Sequence, residues 1–128
     1  MLEKYMKTLQ EDFELAAPFK KDSSGAYVFL IDEGVKMRIH ALPKGFNFTC
    51  DVVDCPGGKE EDFFTQALLG NLFGKGTRGS ILGLDEAGTM LTLSREVEEE
   101  VDYKEFKNLV EDFINTVDMW RSEASAFK

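Results

Sequence analysis

Hydrophobic positions along the 128-residue chain change period several times, and each change marks a predicted element. Leu2, Tyr5, Met6, Leu9, Phe13 and Ala16 or Ala17 recur at three- and four-residue spacing. That spacing predicts a first helix ending before Pro18, with Glu3, Lys7, Glu11 and Glu14 on its other faces. PFKKDSSG then reads as a short loop. Residues 26 to 32, AYVFLID, are apolar at nearly every position, with Tyr27, Phe29 and Ile31 on one face and Val28 and Leu30 on the other, so both faces of this strand need cover. Val35, Met37, Ile39 and Ala41 alternate with Lys36, Arg38 and His40. After the turn signal Pro43, Lys44 and Gly45, Phe46, Phe48, Cys50 and Val52 alternate with polar residues. Three antiparallel strands follow from these patterns.

A second helix is predicted from about Glu60 to Phe73. Its apolar positions Phe63, Phe64, Ala67, Leu68, Leu72 and Phe73 spread wider than one core-facing stripe, so one side meets the core and another a second subunit. Ile81 to Leu84 and Met90 to Leu93 flank Asp85 to Gly88, a hairpin signal. The acidic run from Glu96 ends at Asp102, which with Glu105 three residues on forms an N-terminal box. Phe106, Leu109, Val110, Phe113, Ile114, Val117, Trp120 and Ala124 then hold a helical period over five turns. The order αβββαββα predicts a single α+β domain over residues 1–128, a twisted antiparallel sheet flanked by helices.

Composition narrows the function. Acids outnumber bases 24 to 15, a formal charge of −9, and such a field repels phosphate backbones and anionic headgroups. Nucleic acid is not an expected partner. No apolar run reaches the length that spans a bilayer, and MLEKYMKTLQEDF carries acids where a signal peptide would be apolar, so membrane insertion is not expected and a cytoplasmic location is. Cys50, Cys55 and a single His40 cannot assemble a four-ligand zinc set, and no metal or cofactor is expected. Eleven Phe is a heavy aromatic load.

The candidate chemistries fail on context. Gly74, Gly76 and Gly79 satisfy GxGxxG, but a helix precedes them and a strand follows, the reverse of a dinucleotide site. Gly70, Gly74, Lys75 and Thr77 imitate a phosphate-binding loop with the wrong spacing. His40 has no nucleophile in a recognisable elbow, and Glu96, Glu98, Glu99 and Glu100 read as a solvated run. No catalytic residue is expected. Leu2, Met6, Leu9 and Phe13, with Met37, offer an adaptable groove for a protein partner, against the alternative that they are ordinary core.

ILGLDEAGTMLTLSREV, from Ile81, resembles the strand-turn-strand signature of class I type III secretion chaperones, the Tir-chaperone-like family. Chain length, acidic balance, element order and the long C-terminal helix are similar as well. The resemblance implies a homodimeric cytoplasmic chaperone of a Gram-negative bacterium, without ATPase activity, which holds the N-terminal segment of a secreted effector extended for the export apparatus. It implies a dimer interface at Phe63, Phe64, Ala67, Leu68, Leu72, Ile81 and Leu84. It also implies effector-binding patches on the first helix and the meander, at Leu2, Met6, Leu9, Phe13, Phe29, Ile31, Met37 and Ile39. Components of the secretion apparatus are further expected contacts. The competing reading is an αβ interaction or regulatory domain of the same architecture outside secretion.

Overall fold

The computed structural model describes residues 2–14, 20–32, 35–54, 80–84 and 89–126. Helix α1 (Leu2–Asp12) is followed by strands β1 (Lys20–Lys21), β2 (Tyr27–Asp32), β3 (Val35–Ala41) and β4 (Phe46–Asp54). Then come β5 (Ile81–Leu84), β6 (Met90–Val97) and helix α2 (Tyr103–Ala126). The strands form one sheet in the order β1-β2-β3-β4-β6-β5, with every pairing antiparallel. The α+β architecture, the meander and the Ile81 hairpin are therefore as expected. The helix predicted over 60–73 lies outside the described residues.

Alternation decides the layering. Met37, Ile39, Phe46, Phe48, Cys50, Leu82, Leu91, Leu93 and Val97 all point to one face of the sheet and are buried there. Against them lie Met6 and Leu9 from α1 and Phe106, Val110, Phe113, Val117 and Trp120 from α2. Phe46, Phe48, Phe106 and Phe113 meet in this seam: Phe106 meets Phe46 edge-on with centroids 5.0 Å apart, and Phe113 meets Phe48 at 5.4 Å. Such offset and edge-to-face contacts add to the gain from burial. Asp102 caps α2 as its sequence position predicts, its carboxylate accepting the Glu105 backbone N–H at 2.8 Å, which satisfies a donor left over by the helix geometry. Arg121 fastens the far end of α2 by donating to the Val52 carbonyl at 2.7 Å.

Four details differ from expectation. The first helix stops at Asp12, well before Pro18, because Glu14 adopts a left-handed φ of 55° that no helix continues through. The stretch predicted as a loop contains β1, paired to Val28 and Tyr27 through a turn in which the Asp22 carboxylate accepts the Ser24 and Ala26 N–H groups. A two-residue strand is too short to show a period, although Asp-Ser-Ser-Gly is a turn signal. Strand β6 runs on to Val97, so Glu96 belongs to the sheet, pairing with Asn47, instead of leading into the helix. Finally, the open face of β2 is left without full cover among the described residues: Leu30 is 63% exposed.

At the opposite end of the sheet the β3–β4 turn presses against the end of β6. A Cβ on Gly45 would lie 1.8 Å from the Val97 carbonyl oxygen, so this turn closes only because residue 45 has no side chain.

Candidate partner-binding surfaces

Among the described residues the sheet has one packed face and one open face. On the open face β3 presents Lys36, Arg38 and His40, β4 presents Asn47, Thr49 and Asp51, and β6 presents Thr92, Ser94 and Glu96, all half-buried or exposed. Among the described residues three large apolar side chains are exposed, and they lie on strands near the two sides of the sheet. Leu30 stands on β2, while Ile81 at 64% and Leu84 at 46% exposure stand on the edge strand β5. Strand β5 pairs only with β6, so among the described residues its outer backbone edge is open. Edges of this kind invite a further strand. Ile81 and Leu84, three residues apart on a strand, point to opposite faces, so a partner must wrap the edge to cover both.

A cavity of about 190 Å³ opens where α1 meets the β3–β4 turn, floored by Leu2, Tyr5, Pro43, Phe46 and Val101. The Tyr5 hydroxyl spans it by donating to the Val101 carbonyl at 2.7 Å. Further along, α1 is clasped to α2: Tyr103 donates to the Asp12 carboxylate at 2.6 Å, and Lys107 approaches it at 3.6 Å. The Tyr103 hydroxyl holds the Asp12 carboxyl below its ordinary value, with Lys107 assisting against the partial desolvation. The effect on Tyr103 itself is upward, first through burial and then through its bond to Asp12.

The residues proposed from sequence divide. Met6, Leu9, Met37 and Ile39 are 0 to 2% exposed; helical or strand period places a side chain on a face without saying what meets that face, and here it is the core. These four offer no surface in the folded chain. Leu2 and Phe13 are half-buried at the rim of the core, and Leu2 lines the cavity. Phe29 pairs in register with Met37, while its side chain and that of Ile31 lie outside the described residues. Phe63, Phe64, Ala67, Leu68 and Leu72 lie outside them too, whereas Ile81 and Leu84 are exposed.

Around His40 the geometry is not that of a hydrolytic site. Ser24 gives its hydroxyl hydrogen to Asp22 at 2.6 Å, which leaves the Ser24 oxygen to accept from His40 Nε2 at 3.3 Å. A catalytic triad runs the other way, with the acid on the histidine and the histidine accepting from the serine. Asp22 also receives Arg38 Nε at 3.3 Å, and the Ser24 hydroxyl, with the turn amides and Arg38, keeps its carboxyl below the ordinary range. Among the described residues His40 Nδ1 is buried without a partner. Cys50 is a free, buried thiol whose pKa burial, reinforced by the Asp51 charge, pushes up to about 12. A thiol so placed is a packing group, not a nucleophile. Among the described residues no three His, Cys, Asp or Glu side chains gather to hold a metal, and no helix is long and apolar enough to cross a membrane.

The sequence matches the Tir chaperone protein (CesT) family over residues 4–121. The chain belongs to that family. It is 32% identical over 137 aligned positions to the Chlamydia pneumoniae protein CPj0713/CpB0740, covering 96% of this chain and 95% of that one. The fold of this CesT-family chain also resembles solved structures of low sequence identity. The ExsC–ExsE complex superposes with a TM-score of 0.76 at 16% identity, over 96% of this chain and 92% of that one. The HopA1–SchA chaperone–effector complex gives 0.72 at 15%, over 94% and 93%. The ExoU–SpcU heterodimer from the type III secretion system of Pseudomonas aeruginosa gives 0.67 at 18%, over 95% and 96%. Sequence reasoning identified the family from the hairpin; it missed Leu30 as a surface residue, although the doubly apolar pattern of β2 was its signal.

Proposed function

We propose that this chain is a dimeric cytoplasmic chaperone that binds the N-terminal segment of a type III secretion effector and keeps it extended and export-competent, without hydrolysing ATP. The observation that carries the reading is the exposure of Leu30 and Ile81 on the open face of the sheet and of Leu84 at its β5 edge, in a chain of the Tir chaperone family. The solved relatives support it, since one is a complex of a chaperone with an effector. An extended segment adds to a sheet edge through its backbone and seats alternate side chains on the apolar positions, which requires no covalent chemistry and no nucleotide. Ordering that segment costs free energy, and a large surface, doubled by a dimer, offsets the cost.

In this reading Ile81 and Leu84, with the helix predicted over 60–73 and its Phe63, Phe64, Ala67, Leu68 and Leu72, form the dimer interface. Leu2, Phe13 and the β2 side of the sheet face the effector. Light scattering is expected to give about twice the 14.5 kDa chain mass. Ile81→Asp should give the monomer mass with an unchanged circular dichroism spectrum, because a charge tolerated on an exposed position is costly once the position is buried against a partner. A monomeric wild type refutes the interface. Affinity capture from the native cell followed by mass spectrometry should return a secreted protein. If it returns none, and deletion leaves secretion unchanged, the chain is a binding domain of the same architecture with another task.

A further inference from the structure

Strand β2 carries an apolar ridge between cations. In the sheet register Leu30 lies opposite Lys36, and Val28 lies opposite Arg38 on one side and Lys20 on the other. Cross-strand neighbours of this kind have Cβ atoms about 5 Å apart, so Val28 and Leu30 run between Lys20 and the pair Lys36 and Arg38 on the open face. Arg38 is engaged with Asp22. Lys20 and Lys36 are exposed, and among the described residues neither is in an ion pair. Residues 20–41 hold four Lys or Arg against three acids, in a chain where acids prevail 24 to 15. Among the described residues, the exposed leucine of this face therefore sits beside cations, in a segment where bases outnumber acids.

From this arrangement we infer that the β1–β3 corner recognises an extended acidic segment of the secreted partner, with an apolar side chain on Leu30 and carboxylates on its neighbours reaching Lys36 and Lys20. The inference rests on the function proposed above and names the chemistry of the segment. Alternation suits the surface, because an extended chain presents side chains at the same period of two as the strands beneath it. A second copy of the same corner is a poor occupant. Two-fold pairing sets each patch against itself, and Lys20 and Lys36 would then face like charges. Complementary charge also accelerates encounter and excludes wrong partners, which serves a protein that must find one segment among many.

The test uses the full chain and a labelled peptide of about twelve residues alternating Leu with Asp, followed by fluorescence anisotropy, beside the same peptide with Lys in place of Asp. The Asp peptide should bind and the Lys peptide should not, and binding should weaken as salt rises from about 50 to about 300 mM. Lys36→Glu should weaken it roughly fivefold or more and Leu30→Asp should abolish it, while Lys104→Glu, on the exposed first turn of α2, should change nothing. Equal binding of both peptides, or an equal loss with Lys104→Glu, overturns the inference. So does a change of mass by light scattering in Leu30→Asp, which would put a second copy on this face. Capture from cells separates the two claims. If the wild type and Leu30→Asp retain the same secreted protein equally, the inference fails and the chaperone function stands. If the wild type retains none while the peptide selectivity holds, the chaperone function fails and the recognition chemistry stands.

Discussion

Gly45→Ala tests the closure of the fold at its narrowest point. The added Cβ would begin 1.8 Å from the Val97 carbonyl oxygen and 2.8 Å from its carbonyl carbon, whereas carbon–oxygen contacts settle at about 3.3 Å or more. The turn and the end of β6 must therefore separate by about 1.5 Å, and neither obstacle is a side chain that can swing away. That separation strains the Leu42 N–H to Gly45 carbonyl bond of 2.9 Å and pulls on Val97, which is 8% exposed in the core. Overpacking against backbone costs about 2 to 3 kcal/mol or more. For a domain of this size each kcal/mol moves the melting temperature by about 4 °C, so a fall of about 8 to 12 °C is expected. Urea unfolding followed by circular dichroism should show a lower midpoint with an unchanged slope. Measurement at two protein concentrations separates a loss of fold from a loss of association. A change in stability below about 0.5 kcal/mol would refute the reasoning, since surface substitutions without strain fall in that range.

Other substitutions probe the seam between the layers. Phe106 touches Phe46, Phe48, Tyr5 and Tyr103 and is fully buried, so Phe106→Ala should cost about 3 to 5 kcal/mol in urea unfolding. Asp12 and Asp22 have carboxyls held below their ordinary value of 3.8; their stabilisation is present above that value and is lost as pH falls through the lower values of the folded state. Acid titration of stability should accordingly flatten in Asp12→Asn and partly in Tyr103→Phe, which removes the main cause of the shift at Asp12. Cys50, in a Cys55→Ser background, should react with a thiol reagent at neutral pH only at the rate at which the chain opens, since its pKa of about 12 leaves almost no thiolate. Rapid stoichiometric labelling of the native protein would contradict the burial.

Much of the fold was legible because local rules and global packing agree where one face of an element is buried. The α2 stripe from Phe106 to Trp120, its Asp102 cap, and the alternation of Met37, Ile39, Phe46 and Phe48 each followed from period and capping chemistry. Where packing is thin, local patterns say less. Strand β1 has two residues and takes its order from the Asp22 turn, and α1 ends at a left-handed Glu14 that its apolar spacing does not announce. The candidate binding residues were the least legible. Met6, Leu9, Met37 and Ile39 carry the same periodic mark as a partner-facing stripe, and only their neighbours made them core.

The amino-acid order by itself determined the type and order of the two described helices and of the longer strands, their antiparallel pairing, the acidic net charge, and the hairpin by which the family can be recognised. These depend on spacing along the chain and on summed charge, quantities that a sequence contains in full. Only the tertiary structure decided which apolar faces meet each other and which are left over. Burial is a property of distant segments brought together, and it placed Met37 in the core while leaving Leu30, seven residues earlier and equally apolar, exposed beside Lys36.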